Sequence, residues 1–168
     1  MVLQNAFRFI VVLLLQGLVF NHISVGAYIY PAFYVYFILL LPYETKGWVL
    51  LLSSFFLGLG VDFFSNSLGL HAAAAVSMAF FHPMVIRLLT SGKDYEILQS
   101  PGIKTSGFSW FMFYSLILIV IHHTMLFFLE VFTFMEFRQT LLRILLSSMA
   151  TLFLVLIGQF LFYKSEKR

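Results

Sequence analysis

The sequence predicts an all-α membrane protein, a compact bundle of about six transmembrane helices in a single domain of residues 1–168. Three observations lead to this fold class. Hydrophobic residues make up 61% of the chain and charged residues 10%, whereas soluble domains carry about 25% charged residues. The mean hydropathy is +0.98. Finally, the chain divides into apolar runs, most of them near the roughly 20 residues that a spanning helix needs.

The apolar runs are separated by short polar segments and cover about residues 2–20, 27–41, 48–64, 68–89, 108–132 and 140–163. The first run has some features of a signal peptide, but further spans follow it, which favours a membrane helix. The second run is short and is flanked by Pro31 and Pro42, so it is either re-entrant or a short helix shielded by its neighbours. Pro83 removes one backbone hydrogen bond and should kink the fourth helix near Ala79.

The distribution of lysine and arginine predicts the orientation. With six spans, eight of the ten basic residues fall on one side, and the other side keeps two, Arg138 and Arg143. Because cytoplasmic loops are enriched in lysine and arginine, we expect the eight-residue side, with both termini, to be cytoplasmic. The turns at Asp62–His71 and Glu130–Arg138 then face outward. If the second run did not cross, this bias would weaken.

The turn between the third and fourth runs holds most of the polar chemistry of the first half of the chain. A carboxylate such as Asp62 costs about 2.5–3.5 kcal/mol at the centre of a membrane helix. We expect it to accept hydrogen bonds from the Ser65–Ser67 turn or from His71 and so to fix the hairpin. A role as a proton or ion carrier would need a relay of further acids, and Glu130 and Glu136 lie at the outer end of the fifth helix instead.

Small residues recur at helical spacing on three of the predicted helices, and such faces let membrane helices pack closely. The faces are Ser54, Gly58 and Asp62 on the third helix, Ala72, Ala75 and Ala79 on the fourth, and Ser147, Thr151 and Gly158 on the sixth. They serve either packing within the chain or the docking of a helix from another protein.

Patterns typical of catalysis or of metal binding are missing from the sequence. The chain has no cysteine, and it lacks the G-x-S-x-G, H-E-x-x-H and P-loop motifs. His122 and His123 point about 100° apart on a helix and are poorly placed to share one metal. With His71 and His82 they allow a haem-bearing bundle as an alternative, against hydrogen bonding between helices. We expect a protein that is not an enzyme and that needs no cofactor.

Several polar residues and prolines of the first half follow one another at a recognisable spacing. They are Gln16, Asn21-His22, Tyr30-Pro31, Leu41-Pro42 and a G-x-x-x-D…G-x-H-A hairpin from Gly58 to Ala72. In this order the chain resembles the MreD family of bacterial rod shape-determining proteins. The second half resembles the family only in size and hydropathy.

The resemblance implies a non-enzymatic, multi-pass subunit of the cell-elongation complex in the bacterial inner membrane, which supports peptidoglycan synthesis and cell shape. Its main partner would be MreC, bound through the transmembrane helix of MreC, with its periplasmic domain as a further candidate contact. Further candidate partners are MreB, RodA and the elongation transpeptidase, and the loop Ser91–Gly107 is either a contact for MreB or a plain connector. The candidate structural or partner-binding residues are Ser54, Gly58, Asp62, Asn66, Gly69, His71, Ala75, Ala79, Pro83 and Thr151.

The family also resembles the substrate-binding subunits of energy-coupling-factor transporters in membrane architecture. This relation gives an alternative function, a small-molecule-binding membrane subunit of such a transporter. The alternative predicts a solute pocket that opens outward near Asp62, Asn66 and His71.

Overall fold

The structure, a computed structural model, describes residues 2–23, 28–90, 100–132 and 137–161. Every regular element in these ranges is helical. In chain order they are α1 (Val2–Leu18), a 3₁₀ helix (Phe20–His22), α2 (Val35–Leu39), α3 (Gly47–Ser65), α4 (Leu70–Leu89), α5 (Ile103–Ser106), α6 (Phe108–Val131) and α7 (Phe137–Leu161). Among the described residues, five helices are long and apolar enough to cross a membrane: α1, α3, α4, α6 and α7.

These five helices correspond to five of the six predicted runs, with boundaries that differ by a few residues. The second run, 27–41, is not a sixth spanning helix. It is the short helix of the two predicted alternatives: its only regular helix is the five-residue α2. Residues 28–34, which include Pro31, are not helical. Residues 31–41 are nevertheless all buried. We call residues 28–41 the crossing segment.

The crossing segment connects α1 to α3 and carries the chain back through the bundle. These two helices run in the same direction. α1 and α3 are parallel, since Leu13 lies against Gly60 and Phe64 lies against Gly17. The crossing segment runs antiparallel to α1. The side chain of Gln16 donates to the carbonyl of Pro31 at 3.1 Å, and that of Arg8 donates to the carbonyl of Leu40 at 3.3 Å.

The five long helices pack in the order α1, α3, α4, α6 and α7, each against the next. α3 is parallel to α1, and α3, α4, α6 and α7 alternate in direction. The start of α1 and the end of α7 therefore lie at the same end of the bundle. At that end the backbone N–H of Ile103 donates to Gln159 Oε1 at 3.2 Å, and Trp110 Nε1 donates to the carbonyl of Leu89 at 3.2 Å.

The charges follow the predicted distribution within the described part of the chain. One end, called the basic end below, carries Arg8, Lys46, Arg87 and Lys104, and the opposite end carries Arg138 and Arg143. Of the other residues in the prediction, Lys93, Lys164, Lys167, Arg168 and Glu136 lie outside the described residues, as does most of the Ser91–Gly107 loop.

Candidate functional site

The α3–α4 turn, at the end of the bundle opposite the basic end, is organised by Asp62. Its side chain is 3% exposed and lies in front of the first turn of α4. One carboxylate oxygen accepts from the hydroxyl of Ser67 at 2.5 Å and from the backbone N–H of His71 at 3.0 Å. The other accepts from the N–H of Ala72 at 2.9 Å. The expectation that Asp62 fixes the hairpin is confirmed, with backbone N–H groups at a helix N-terminus as two of the donors.

The turn itself needs two residues with a left-handed backbone. Asn66 ends α3 with φ of 51°, and Gly69 precedes α4 with φ of 83°. Glycine adopts such angles without strain, and asparagine does so more readily than most residues. These two predicted residues therefore have a conformational role at the turn.

The small residues of α3 and α4 face each other inside the bundle. A Cβ atom built on Gly58 would lie 2.5 Å from both the Cα of Ala72 and the carbonyl oxygen of His71. Ser54, Ala75 and Ala79 are fully buried. Pro83 lies on the exposed side of α4, and the helix continues through it. The small-residue surface that was a candidate for docking a partner helix is thus covered by the chain itself.

Polar side chains of the surrounding helices satisfy the backbone of the crossing segment. Three alternate N–H groups, of Tyr30, Ala32 and Tyr34, donate to Ser147 Oγ at 3.0 Å, to Thr151 Oγ1 at 2.9 Å and to Gln16 Oε1 at 3.3 Å. Ser147 and Thr151 are one turn apart on α7. The predicted small face of α7 therefore holds the crossing segment, and Gly158 continues it, with Tyr36 packed against that glycine.

The carbonyl groups of the crossing segment are matched in the same way. Ser147 Oγ lies 3.3 Å from the carbonyl oxygen of Tyr28, and His123 Nε2 lies 3.3 Å from that of Tyr30. The hydroxyl of Tyr114 donates to the carbonyl of Leu39 at 3.0 Å. Irregular backbone at membrane depth requires such partners, because lipid offers none.

A chain of aromatic polar groups joins α4, the crossing segment and α6 at the centre of the bundle. The hydroxyl of Tyr34 lies 3.1 Å from His71 Nδ1 and 2.5 Å from His122 Nε2. His71 Nε2 lies 3.5 Å from the hydroxyl of Tyr30. These histidines hydrogen-bond between helices, and no group of three His, Asp or Glu side chains in the described ranges could hold a metal ion.

A lateral cleft separates α1 from α7, the first and last helices in the packing order. Its volume is about 850 Å³. The crossing segment forms its floor, and its apolar wall comprises Phe7, Val11, Leu15, Phe33, Leu154 and Ile157. Polar groups lie toward the basic end: Gln4, Arg8, Ser100, Lys104, Thr105 and Gln159. We call this feature the α1–α7 cleft.

The chain matches no protein-family model, no curated protein and no solved structure. The function is therefore argued from two features of the structure, the hydrogen-bonded core around the crossing segment and the α1–α7 cleft.

Sequence reasoning missed both of these features. Ser147 and Thr151 were recognised as a small face, but their partners lie 117 and 119 residues away along the chain. Pro31 was the one local signal for irregular backbone. The cleft exists because α1 and α7 do not pack against each other along its length. The periodicity of the sequence does not predict which helices pack together.

Proposed function

We propose that this protein is a non-enzymatic membrane subunit that holds one transmembrane helix of a partner protein in the α1–α7 cleft. The cleft is the observation that carries the proposal. Along α1 its lining extends from Gln4 to Leu15, which is about 16 Å at 1.5 Å per residue and about half the thickness of a bilayer core. Its wall is apolar, and α1 contributes several exposed side chains to it, among them Phe7 and Leu15.

The buried core favours this function over catalysis. Its carboxylate, Asp62, and its histidines at positions 71 and 123 are bonded to groups of the chain itself. Such polar groups hold an irregular fold together in a dry interior. A partner would therefore bind at the surface of the protein, and the cleft is a concave part of that surface.

The resemblance to the MreD family supplies the identity of the partner. On this proposal the helix in the cleft is that of MreC, and the subunit orients the periplasmic domain of MreC within the elongation complex of the bacterial inner membrane. The basic end would then be cytoplasmic, as the bias of lysine and arginine indicates. MreB, RodA and the elongation transpeptidase would be reached through this assembly.

The alternative of a solute-binding transporter subunit loses two of the contacts that it predicted. Asp62 already accepts three hydrogen bonds from its own hairpin. His71 is 6% exposed, and both of its ring nitrogens face tyrosine hydroxyls. These side chains are part of the fold, and we do not propose a solute site there.

Affinity purification from native membranes in a mild detergent tests the proposal. We expect MreC in roughly equal amount with the tagged protein and smaller amounts of the elongation enzymes. A Leu15→Trp variant, which fills the cleft, should lose MreC. The matched control Leu14→Trp, one residue along and outside the cleft lining, should keep it. Recovery of transporter ATPases, or equal recovery of MreC by both variants, would contradict the proposal.

A further inference from the structure

Arg8 is a basic residue set inside the first membrane helix. The apolar span of α1 begins at Leu3, which places the Cα of Arg8 about 8 Å further along the helix. Its side chain is partly buried in the α1–α7 cleft. Arginine at such a depth keeps its charge and reaches for a polar or anionic partner.

Within the described ranges, the hydrogen-bond partners of Arg8 are neutral. Nη1 donates to the carbonyl of Leu40 at 3.3 Å and to Asn5 Oδ1 at 3.4 Å. No carboxylate pairs with it among residues 2–23, 28–90, 100–132 and 137–161. The guanidinium has five N–H donors in a planar fork that suits a phosphate group, so most of its binding capacity remains.

Other groups at the same end of the cleft reinforce this preference for an anion. The hydroxyl of Tyr36 accepts from Gln159 Nε2 at 3.2 Å, and its own O–H meets no acceptor in the described part of the chain. Lys104 lines the same end of the cleft. A ligand oxygen could therefore accept hydrogen bonds from Arg8 and Tyr36 together.

The remainder of the cleft is apolar and opens sideways toward the lipid. Val11 and Leu15 follow Arg8 along α1, and Ile157 faces them from α7. A ligand that fits has one anionic end at the level of Arg8 and a long apolar part beside these residues. A phospholipid and a membrane helix with a terminal carboxylate both have this form.

Charge distinguishes between these two sources of the anion at Arg8. The basic end carries four of the six lysine and arginine residues in the described part of the chain, and a partner helix that follows the same bias would bring further basic residues there. Basic pockets between membrane helices typically bind anionic lipid headgroups. We propose that the α1–α7 cleft, while no partner helix occupies it, binds an anionic phospholipid, with its phosphate at Arg8 and Tyr36 and an acyl chain along Val11 and Leu15.

Native mass spectrometry of the isolated full chain tests the lipid site without any partner protein, so its outcome is separate from that of the proposed function. The protein is mixed with equal amounts of phosphatidylglycerol and phosphatidylcholine of the same chain length. We expect one phosphatidylglycerol to be retained in preference. Arg8→Gln should lower that retention by about fivefold, the effect expected of one basic residue at an anionic membrane surface. Arg87→Gln, at the same end but outside the cleft lining, should leave it unchanged.

A second pair of variants separates the lipid site from a loss of folding and from a site for free anions. Leu15→Trp fills the apolar part without changing a charge and should also reduce bound phosphatidylglycerol, whereas Leu14→Trp should not. Glycerol 1-phosphate, which has the anion but no acyl chain, should not displace the lipid. Equal retention of the two phospholipids, equal loss in Arg8→Gln and Arg87→Gln, or displacement by glycerol 1-phosphate would overturn the proposal.

Discussion

At the scale of single residues, Asp62 shows how a buried carboxylate is stabilised at the edge of a membrane domain. Its two oxygens take hydrogen bonds from one hydroxyl and from two backbone N–H groups at the start of α4. Those N–H groups have no partner within the helix and carry the positive end of its dipole. The same carboxylate thus closes the hairpin and caps the following helix.

Replacing Asp62 with asparagine should lower the stability of the protein by about 1.5–3 kcal/mol, the range for hydrogen bonds to charged groups. The new amide NH₂ would also face a backbone donor. Thermal unfolding in detergent measures the effect. Glu130→Gln is the matched control at the same end of the bundle. Its exposed pair with Arg143 contributes about 0–1 kcal/mol. Equal melting temperatures for the two variants would argue against the capping role.

Gly58 is a second residue whose substitution should destabilise the α3–α4 hairpin. In Gly58→Ala the new methyl group would overlap backbone atoms of His71 and Ala72, which cannot move without opening the α3–α4 hairpin. We expect a loss of about 1–3 kcal/mol, as for other overpacked sites. At Gly60 the nearest atoms belong to the side chain of Leu13, at 2.9 Å, so Gly60→Ala should be milder. The reverse order of melting temperatures would contradict this packing.

At the scale of elements, the crossing segment is the unusual part of the fold. It returns the chain through the bundle with only five helical residues. The missing helical hydrogen bonds are replaced by side chains from α1, α6 and α7, so the segment depends on all three helices being in place. An element of this kind has little stability of its own and forms with the tertiary structure.

Two neighbouring serines of α7 test this dependence. Ser147→Ala removes the acceptor for the N–H of Tyr30 and should cost about 1–2 kcal/mol. Ser148 is also buried, but its hydroxyl has no hydrogen-bond partner in the described residues, so Ser148→Ala should be neutral or slightly stabilising. Chemical unfolding of both variants in the same detergent gives the comparison. Equal destabilisation would show that burial, and not the bond to Tyr30, determines the effect.

Sequence reasoning predicted correctly the elements that depend on residues close together in the chain. The five long helices follow from apolar length, and the hairpin chemistry follows from Asp62 and His71, which are nine residues apart. For the crossing segment, the flanking prolines predicted a re-entrant segment or a short shielded helix, and the second is observed, but the partners of its backbone could not be predicted. Its true conformation is determined by Gln16, Ser147 and Thr151, on helices at the two ends of the chain.

At the scale of the whole molecule, the crossing segment sets the sidedness of everything after it. α1 and α3 start at the same end of the bundle, although α1 is the only long helix between these two points of the chain. The crossing segment returns the chain to that end. The chain contains no cysteine, so single-cysteine variants report this arrangement cleanly. Gln4→Cys and Lys46→Cys should react with a membrane-impermeant maleimide from one side, and Leu68→Cys from the other. Labelling of the first two from opposite sides would show that the segment does not cross.

The α1–α7 cleft is likewise a property of the whole molecule. The three small-residue faces looked equally suited to a partner helix, but the chain uses them internally. At Ser54, Gly58, Ala75 and Thr151 a partner helix would have to displace the protein's own elements. On our proposal, a partner binds instead where the first and last helices fail to close the bundle.

Site-specific photo-crosslinking in living cells tests this central claim most directly. A crosslinking residue is placed at Leu15 or Ile157 in the cleft. The controls are Leu14 and Phe153, which are exposed on the same helices outside the cleft lining, and Gly58, Ala75 and Thr151 inside the bundle. We expect MreC to be captured from the two cleft positions and from none of the controls. Capture from the controls at similar yield, or no capture from the cleft while the complex is intact, would contradict the claim.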